Sequence, residues 1–554
     1  MNHQVKLAMP RPARSFKHTS LHVQLAVIGV GLLIGGFLRL FSNSQPFSSS
    51  DHAELAAIVS FFYPRNLSAL QFSSSSTWQL LTNAHGILPP LIGMAGTTIV
   101  GIMGLPVTEF WWNFPFVLVQ LLTIPLAAVL VTRLAGCHAG GIAALLVALL
   151  PIHAALSRAS GLSHIPLTFA TQLTTIICFV RYFQAPTSRN ARFASFALTV
   201  NLLVELFFPL LFVLLLGIGV LTVGTRKPSL MLRLNRTRAL LFVPRVMIVP
   251  LLVVSFNFLL LIGYINGWWS GGGIATRLLE GSDRKSGIYF AAFWQNTSYV
   301  VGPIALVLLI VLGLPSLSAL RRLEARSVPL LWSFVYLMPF VLFTRPHVYE
   351  YMLLGLAPLT LNAAIVLGSL LQRCGWQRWL AGLAMVMLLG LFSLRSLSMV
   401  FGVDILPAVG TGQAPGGLFP DQGLKAAAWW VRTHMPQDAL VFADSTYEPY
   451  QIAYYTHRPF LAVTDAEEDE SAYRLLENSA SLPSAYLVTP GNERLLARYS
   501  NIMPVLAATV VVDQRPVLLI YTHTEQVPET IQAKSANEAF DNQFGYWRTM
   551  FSID

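Results

Sequence analysis

The sequence predicts a polytopic α-helical membrane protein with about eleven transmembrane helices over residues 1–400, followed by a soluble α/β domain over residues 401–554. Three observations carry this. The mean hydropathy is +0.59, and of 554 residues 54% are hydrophobic and only 11% charged, which excludes a soluble enzyme and a disordered chain. The net charge of +10 divides unevenly: residues 1–400 hold 27 Lys/Arg against 8 Asp/Glu, and residues 401–554 hold 9 against 18. Finally, basic residues recur between apolar segments, the pattern of cytoplasmic loops in a multi-pass protein.

The chain opens with Lys6, Arg11, Arg14 and Lys17, then runs apolar from 21 to 41. That run is too long for a signal peptide and more apolar segments follow, so it reads as a retained first transmembrane helix with a cytoplasmic N-terminus. Residues 42–83 are serine-rich and nearly free of Lys/Arg, as an extracytoplasmic loop would be. Segment 86–104 holds Pro89-Pro90 and several glycines. If it crossed, Arg133 and every later basic loop would fall outside, so it is expected to lie along the outer face or to re-enter.

The remaining crossings fall at 110–132, 140–157, 163–182, 193–208, 209–224, 245–266, 299–317, 328–344, 350–371 and 379–400. The basic residues Arg181, Arg189 and Arg192, Arg226 to Arg245, Arg321, Arg322 and Arg326, and Arg373 and Arg378 then all face the cytoplasm. Asp51, Glu54, Glu109, Glu280, Asp283 and Glu350 fall on the opposite side. In the tail, a Gly/Pro linker from Gly410 to Pro420 precedes a helix-like stretch, Gln422–Thr433. Strand-like runs follow at Ala439–Ala443, Ala485–Thr489, Ala508–Val512 and Val517–Tyr521. The acidic run Asp465–Glu470 lacks calcium-loop spacing and reads as a solvated loop.

Asp51 and Glu54 open the list of candidate site residues, in Ser48-Ser49-Ser50-Asp51-His52-Ala53-Glu54. Two carboxylates three residues apart share one helical face, and ionisable groups at a membrane edge are functional candidates. They also fit a capping box, with Asp51 as cap, and the two readings are compatible. His85 precedes the Pro-Pro segment, where it can meet a phosphate or sugar. Arg158, near His153 and His164, lies on an outer loop where the positive-inside rule does not explain it. Phosphate pairing and snorkelling to headgroups both account for it. Thr344 to Tyr351 packs Arg345, His347, Tyr349, Glu350 and Tyr351 into one loop, suited to a polar ligand with an anionic group. The long loop 266–298, with Trp268, Trp269 and Trp294, suits sugar stacking or an interfacial aromatic belt. Cys137, Cys178 and Cys374 show no metal or disulfide spacing. Neither metal nor cofactor is expected, and no nucleic-acid-binding pattern accompanies the basic charge.

Taken in order, these motifs resemble the GT-C superfamily of membrane glycosyltransferases, near the protein O-mannosyltransferases and the aminoarabinose lipid A transferases. The resemblance rests on Arg39-Leu40 ending the first helix, Asp51-His52-Ala53-Glu54-Leu55-Ala56, His85 with Pro89-Pro90, Ser157-Arg158, and Arg345 to Pro358 with Tyr351. In the tail, Tyr455-Thr456-His457-Arg458-Pro459 resembles a Tyr-x-x-Arg-Pro element. His52 stands where the family usually has Glu after Asp, and His164 where it often has Asp before Pro.

The resemblance implies transfer of a sugar from a polyprenyl-phosphate donor to a lipid, glycan or protein acceptor hydroxyl, at the outer face of a bacterial inner membrane. Asp51 would be the general base, with Glu54 beside it. His85, Arg158 and Arg345 would hold the donor phosphate, and His52, His164, His347 and Tyr351 would contact substrate. The alternatives are a flippase for lipid-linked saccharides and an assembly subunit with the same fold and a degenerate site.

Overall fold

Apolar residues repeated at helical spacing, with glycine and proline at the breaks, dictate a chain that is mostly helix up to residue 401. The computed structural model describes residues 18–40, 88–105, 109–158, 164–204, 208–223, 229–265, 288–343, 350–401, 423–443, 455–456, 460–462, 484–488, 490, 505–512, 514–522 and 527–533. The helices are α1 (His18–Leu40), α2 (Leu88–Ile102), α3 (Glu109–Leu121), α4 (Thr123–Ala135), α5 (Cys137–Ala148), α6 (Pro151–Leu156), α7 (His164–Gln184), α8 (Ser188–Val204), α9 (Phe208–Thr222), α10 (Leu230–Leu241), α11 (Pro244–Ile265), α12 (Ile288–Val301), α13 (Pro303–Arg321), α14 (Val328–Phe343), α15 (Leu353–Leu371), α16 (Trp376–Phe401) and α17 (Leu424–His434).

Helical residues occupy each of the eleven segments predicted to cross. Five described stretches are long and apolar enough to span a bilayer: Leu21–Leu40, Glu109–Ala135, Pro303–Arg321, Leu353–Leu371 and Trp376–Val400. A sixth is reached if α10 and the start of α11 count as one span broken by a 71° bend. Helix α2, over the segment expected not to cross, is a shorter apolar helix. It packs on α3 through glycines: a Cβ on Gly96 would lie 2.7 Å from the Pro115 ring. Residues 288–298, expected to be loop, are helical. The run Ile288–Trp294 is apolar enough to start the helix early, and Gly302 at φ +87° then separates α12 from α13.

Helix α15 is the axis of the bundle. Every residue from Leu353 to Gly368 is buried, and the helix packs against α5, α13, α14 and α16. A helix apolar all round belongs in the interior. The peripheral helices instead expose large apolar side chains such as Leu33 on α1, Leu252 on α11, Leu314 on α13 and Val386 on α16, surfaces suited to lipid.

The two ends of the bundle differ chemically. At one end Gln24 donates to Thr132 (2.6 Å), Tyr182 to the Leu240 carbonyl (3.1 Å), and Arg233 to the carbonyls of Val220 and Leu323 (3.1 Å each). Glu324 pairs there with Arg322 and Arg326, close in the chain to the other arginines of the basic loops. The opposite end holds Arg39, Arg158 and Asn113, and receives the C-terminal part of the chain.

That part is a six-stranded mixed sheet in the order β2-β1-β3-β5-β4-β6, formed by β1 (Leu440–Ala443), β2 (Phe460–Ala462), β3 (Ser484–Val488), β4 (Val505–Val512), β5 (Arg515–Thr522) and β6 (Glu529–Ala533). Four strand-like runs match β1, β3, β4 and β5. The short edge strands β2 and β6 carry little alternation of their own and are placed by parallel pairing to β1 and β4. Helix α17 buries Leu424, Ala427, Ala428, Trp430 and Val431 in one apolar cluster with Val441, Ala485, Val510 and Ile520. The same cluster continues into Trp112 and Phe116 of α3, Leu167 of α7 and Val204 of α8. The sheet is thus seated on the bundle through continuous apolar packing.

Candidate functional site

At the sheet-bearing end, the C-terminal ends of α1, α5 and α6 converge. Such ends leave carbonyls without intrahelical partners and carry partial negative charge. Pro151 sharpens the deficit, because it has no N–H to offer the carbonyl of Val147. Two arginines answer these ends. Arg39, in the last turn of α1, donates to the carbonyls of Ala148 (3.1 Å) and Val147 (3.3 Å) at the end of α5, and to Gly35 (3.0 Å) in its own helix. Arg158, just beyond α6, donates back to the Leu38 carbonyl of α1 at 3.3 Å. Arg158 thus closes the helix that carries Arg39, while Arg39 closes α5 and reaches across to α6.

Arg39 also reaches Nδ1 of His153 on α6 at 2.5 Å. A third buried arginine, Arg395 on α16, donates to the Tyr299 carbonyl near the end of α12 (2.9 Å from Nε) and lies 5.1 Å from the Tyr299 ring centre. Its neighbour Ser396 donates to the Leu149 carbonyl at 2.7 Å, at the same break between α5 and α6.

Arg158 is held at both of its ends. Its carbonyl accepts from Asn113 Nδ2 of α3 at 3.0 Å, and its guanidinium is anchored on Leu38. It is 1% exposed. Burial pulls its guanidinium down to about 9, so the group is cationic at neutral pH. A fixed, largely desolvated cation attracts an anionic ligand more strongly than an exposed one, because little water competes.

Of the sequence-derived candidates, Arg158, His164 and Tyr351 are described. His164 opens α7 and is buried. Its ring lies 6.5 Å from that of Tyr351, centre to centre, in the short 3-10 helix Glu350–Met352 before α15. Two candidates nearly 190 residues apart are therefore neighbours. Asp51, His52, Glu54, His85, Arg345 and His347 lie outside the described residues. So do Glu205, most of the 266–298 segment and the acidic run 465–470.

Below this end, a buried polar network runs between helices. Gln172 of α7 donates to Tyr336 at 2.8 Å and accepts from Trp332 Nε1 at 3.2 Å, both on α14. Phe169 stacks on Trp332, and His153 meets Phe169 edge-on.

Sequence reasoning passed over two residues at this end and the partners of a third. Arg395 had a readable signal, an arginine inside an apolar segment. Asn113 had none, since nothing local marks an asparagine as the partner of a carbonyl 45 residues away. Glu109 groups by charge opposite the basic loops, but its partners come from the tail. Lys425 of α17 pairs with its Oε1 at 2.9 Å, and Tyr455 donates to the same oxygen at 2.9 Å. Tyr455 is the first residue of the Tyr-Thr-His-Arg-Pro element.

No family model matches the sequence, and no curated protein matches it. Solved structures do share its fold. ArnT from Cupriavidus metallidurans bound to undecaprenyl phosphate superposes with a TM-score of 0.58 at 13% identity, over 91% of this chain and 98% of that one. The archaeal oligosaccharyltransferase AglB from Archaeoglobus fulgidus, in complex with an inhibitory peptide and a dolichol-phosphate, gives 0.55 at 12% identity, over 88% and 71%. Both are GT-C membrane glycosyltransferases, and the chain has their fold.

Proposed function

We propose that this protein is a multi-pass membrane glycosyltransferase that moves a sugar from a polyprenyl-phosphate donor to an acceptor hydroxyl, with inversion at the anomeric carbon. The observation that carries the reading is Arg158: a cation fixed at its backbone and its guanidinium, at the end of a bundle folded like one whose structure holds undecaprenyl phosphate. On this reading residues 1–400 form the catalytic membrane domain with eleven crossings, and residues 401–554 an extracytoplasmic α/β domain. The positive-inside rule puts the arginine-rich end in the cytoplasm and the Arg158 end outside the inner membrane.

The chemistry follows from the residue types. An alcohol is a weak nucleophile, so Asp51 takes its proton as the oxygen attacks the anomeric carbon. The bond from that carbon to the phosphate oxygen breaks, and polyprenyl phosphate leaves with the bonding pair. Arg158, His85 and Arg345 stabilise the charge growing on the phosphate. Glu54 supports the base, and His52, His164, His347 and Tyr351 line the path of sugar and acceptor. The donor's phosphate is its own activating group, so the scheme invokes neither metal nor cofactor.

The test uses the full-length protein in nanodiscs with labelled polyprenyl-phosphate sugars. Release of polyprenyl phosphate with label appearing on an acceptor is expected. Movement of the lipid between leaflets without bond cleavage would replace the reading with a flippase. Neither transfer nor movement, in protein that still binds undecaprenyl phosphate, would point to an assembly subunit. Arg158→Gln is expected to weaken undecaprenyl phosphate binding by about tenfold, the weight of one charge-assisted contact.

A further inference from the structure

Glu109 and Asn113 stand four residues apart on α3, one helical turn and about 6 Å along the axis, on the same side of the helix. Each holds a different part of the molecule. Glu109 Oε1 takes both Lys425 Nζ and the Tyr455 hydroxyl of the C-terminal part, at 2.9 Å each. Lys425 lies 5.6 Å from the Tyr455 ring centre, so the three groups form one cluster. Asn113 Nδ2 holds the carbonyl of Arg158 at 3.0 Å. Between them Trp112, and one turn further Phe116, are fully buried in the apolar cluster that also contains Leu424 and Trp430 of α17. The first turn of α3 is thereby clamped between the sheet-bearing part and the residue proposed to hold the donor phosphate.

We propose that Glu109 is a positioning residue for donor binding: its pairing with Lys425 and Tyr455 sets the first turn of α3, and through Asn113 the place of Arg158. Seating of the C-terminal domain and occupation of the donor phosphate site are then coupled. The geometry favours coupling over simple attachment. Glu109 is only partly exposed, with 12% of its side chain accessible, and Lys425 34%, so water reaches the pair mainly from the lysine side. A rigid helical turn joins the two anchor points without a flexible side chain between them. By reciprocity, a donor phosphate that favours the seated position of Arg158 also favours the seated domain. The Tyr455 element in the tail thereby acquires a role, as a docking group on the bundle rather than a contact to sugar. This inference rests on reading Arg158 as a donor-phosphate cation.

The experiment measures undecaprenyl phosphate binding and transfer kinetics by full-length protein in nanodiscs, for Glu109→Lys, Lys425→Glu and the double exchange. Each single reversal puts like charges face to face, and is expected to weaken binding and raise the donor KM by about three- to tenfold, with kcat little changed. The double exchange restores the opposite-charge pair, and is expected to recover binding to within about twofold of wild type. Tyr455→Phe removes one hydrogen bond and should fall between. Single reversals that bind like wild type, or a double exchange no better than either single, would overturn the coupling. Loss of thermal stability with unchanged donor affinity would also overturn it, leaving the pair a structural contact. A wild-type protein that does not bind undecaprenyl phosphate would instead remove the donor-site reading itself.

Discussion

Arg39 Nη2 and His153 Nδ1 meet at 2.5 Å, with both residues wholly shielded from solvent. A guanidinium has only donors, so Nδ1 accepts and the imidazole carries its proton on Nε2. The pair joins the end of α1 to α6, and the same guanidinium closes the end of α5. The position of Arg158, five residues after that histidine, depends on this joint.

Arg39→Met should therefore destabilise the fold more than the loss of one contact would. It leaves the Ala148 carbonyl and His153 Nδ1 buried without this donor, at an expected cost of about 2–4 kcal/mol. Arg39→Lys keeps the charge but reaches fewer acceptors, and should lie between. Thermal unfolding in detergent measures both, and an unchanged midpoint for Arg39→Met would show that the joint carries no stability.

Gln172 and Tyr336 offer a cleaner measurement because both side chains are buried and neutral. A double-mutant cycle with Gln172→Leu and Tyr336→Phe should return a coupling of about 0.5–1.5 kcal/mol. Strict additivity would mean that the 2.8 Å hydrogen bond contributes nothing net.

Close helix approach at Gly368 gives a prediction of opposite character to that at Gly390. A Cβ on Gly368 would lie 2.6 Å from Ala139 Cβ and 2.7 Å from its Cα. Backbone cannot swing aside, so Gly368→Ala should force α15 from α5 at about 1–3 kcal/mol. Gly390, inside α16, has nothing within 4 Å of such a Cβ, and Gly390→Ala should stabilise by about 0.5–1 kcal/mol. Paired unfolding midpoints moving in opposite directions would support both.

For the proposed chemistry, Asp51→Asn removes the base while keeping the side chain's shape. Turnover should fall by about 10²–10⁴-fold, with undecaprenyl phosphate binding nearly unchanged because the phosphate is held by other residues. Wild-type turnover in a folded Asp51→Asn protein would reject the assignment.

The legible parts of this protein were those that local pattern determines. Apolar runs of membrane length located helices at all eleven predicted segments, since hydropathy acts residue by residue. The spread of arginine separated the two ends of the bundle. Strands β1, β3, β4 and β5 showed as short apolar runs, whereas β2 and β6 depend on a neighbour's register and did not. The helix over 288–298 was hidden by its aromatic and polar mixture, which also suits an interfacial loop. The order of the motifs along the chain itself points to the GT-C fold.

What the sequence by itself determined was the membrane character, the division of charge, and the candidacy of Arg158, His164 and Tyr351, because each follows from residue type and chain position. Tertiary structure alone decided that Arg39 closes α5 and Arg158 closes α1, that His164 lies beside Tyr351, and that Glu109 receives Lys425 and Tyr455. These are pairings of groups far apart in the chain. A helix end needs some donor for its bare carbonyls, but only the packing of the whole bundle selects which arginine arrives.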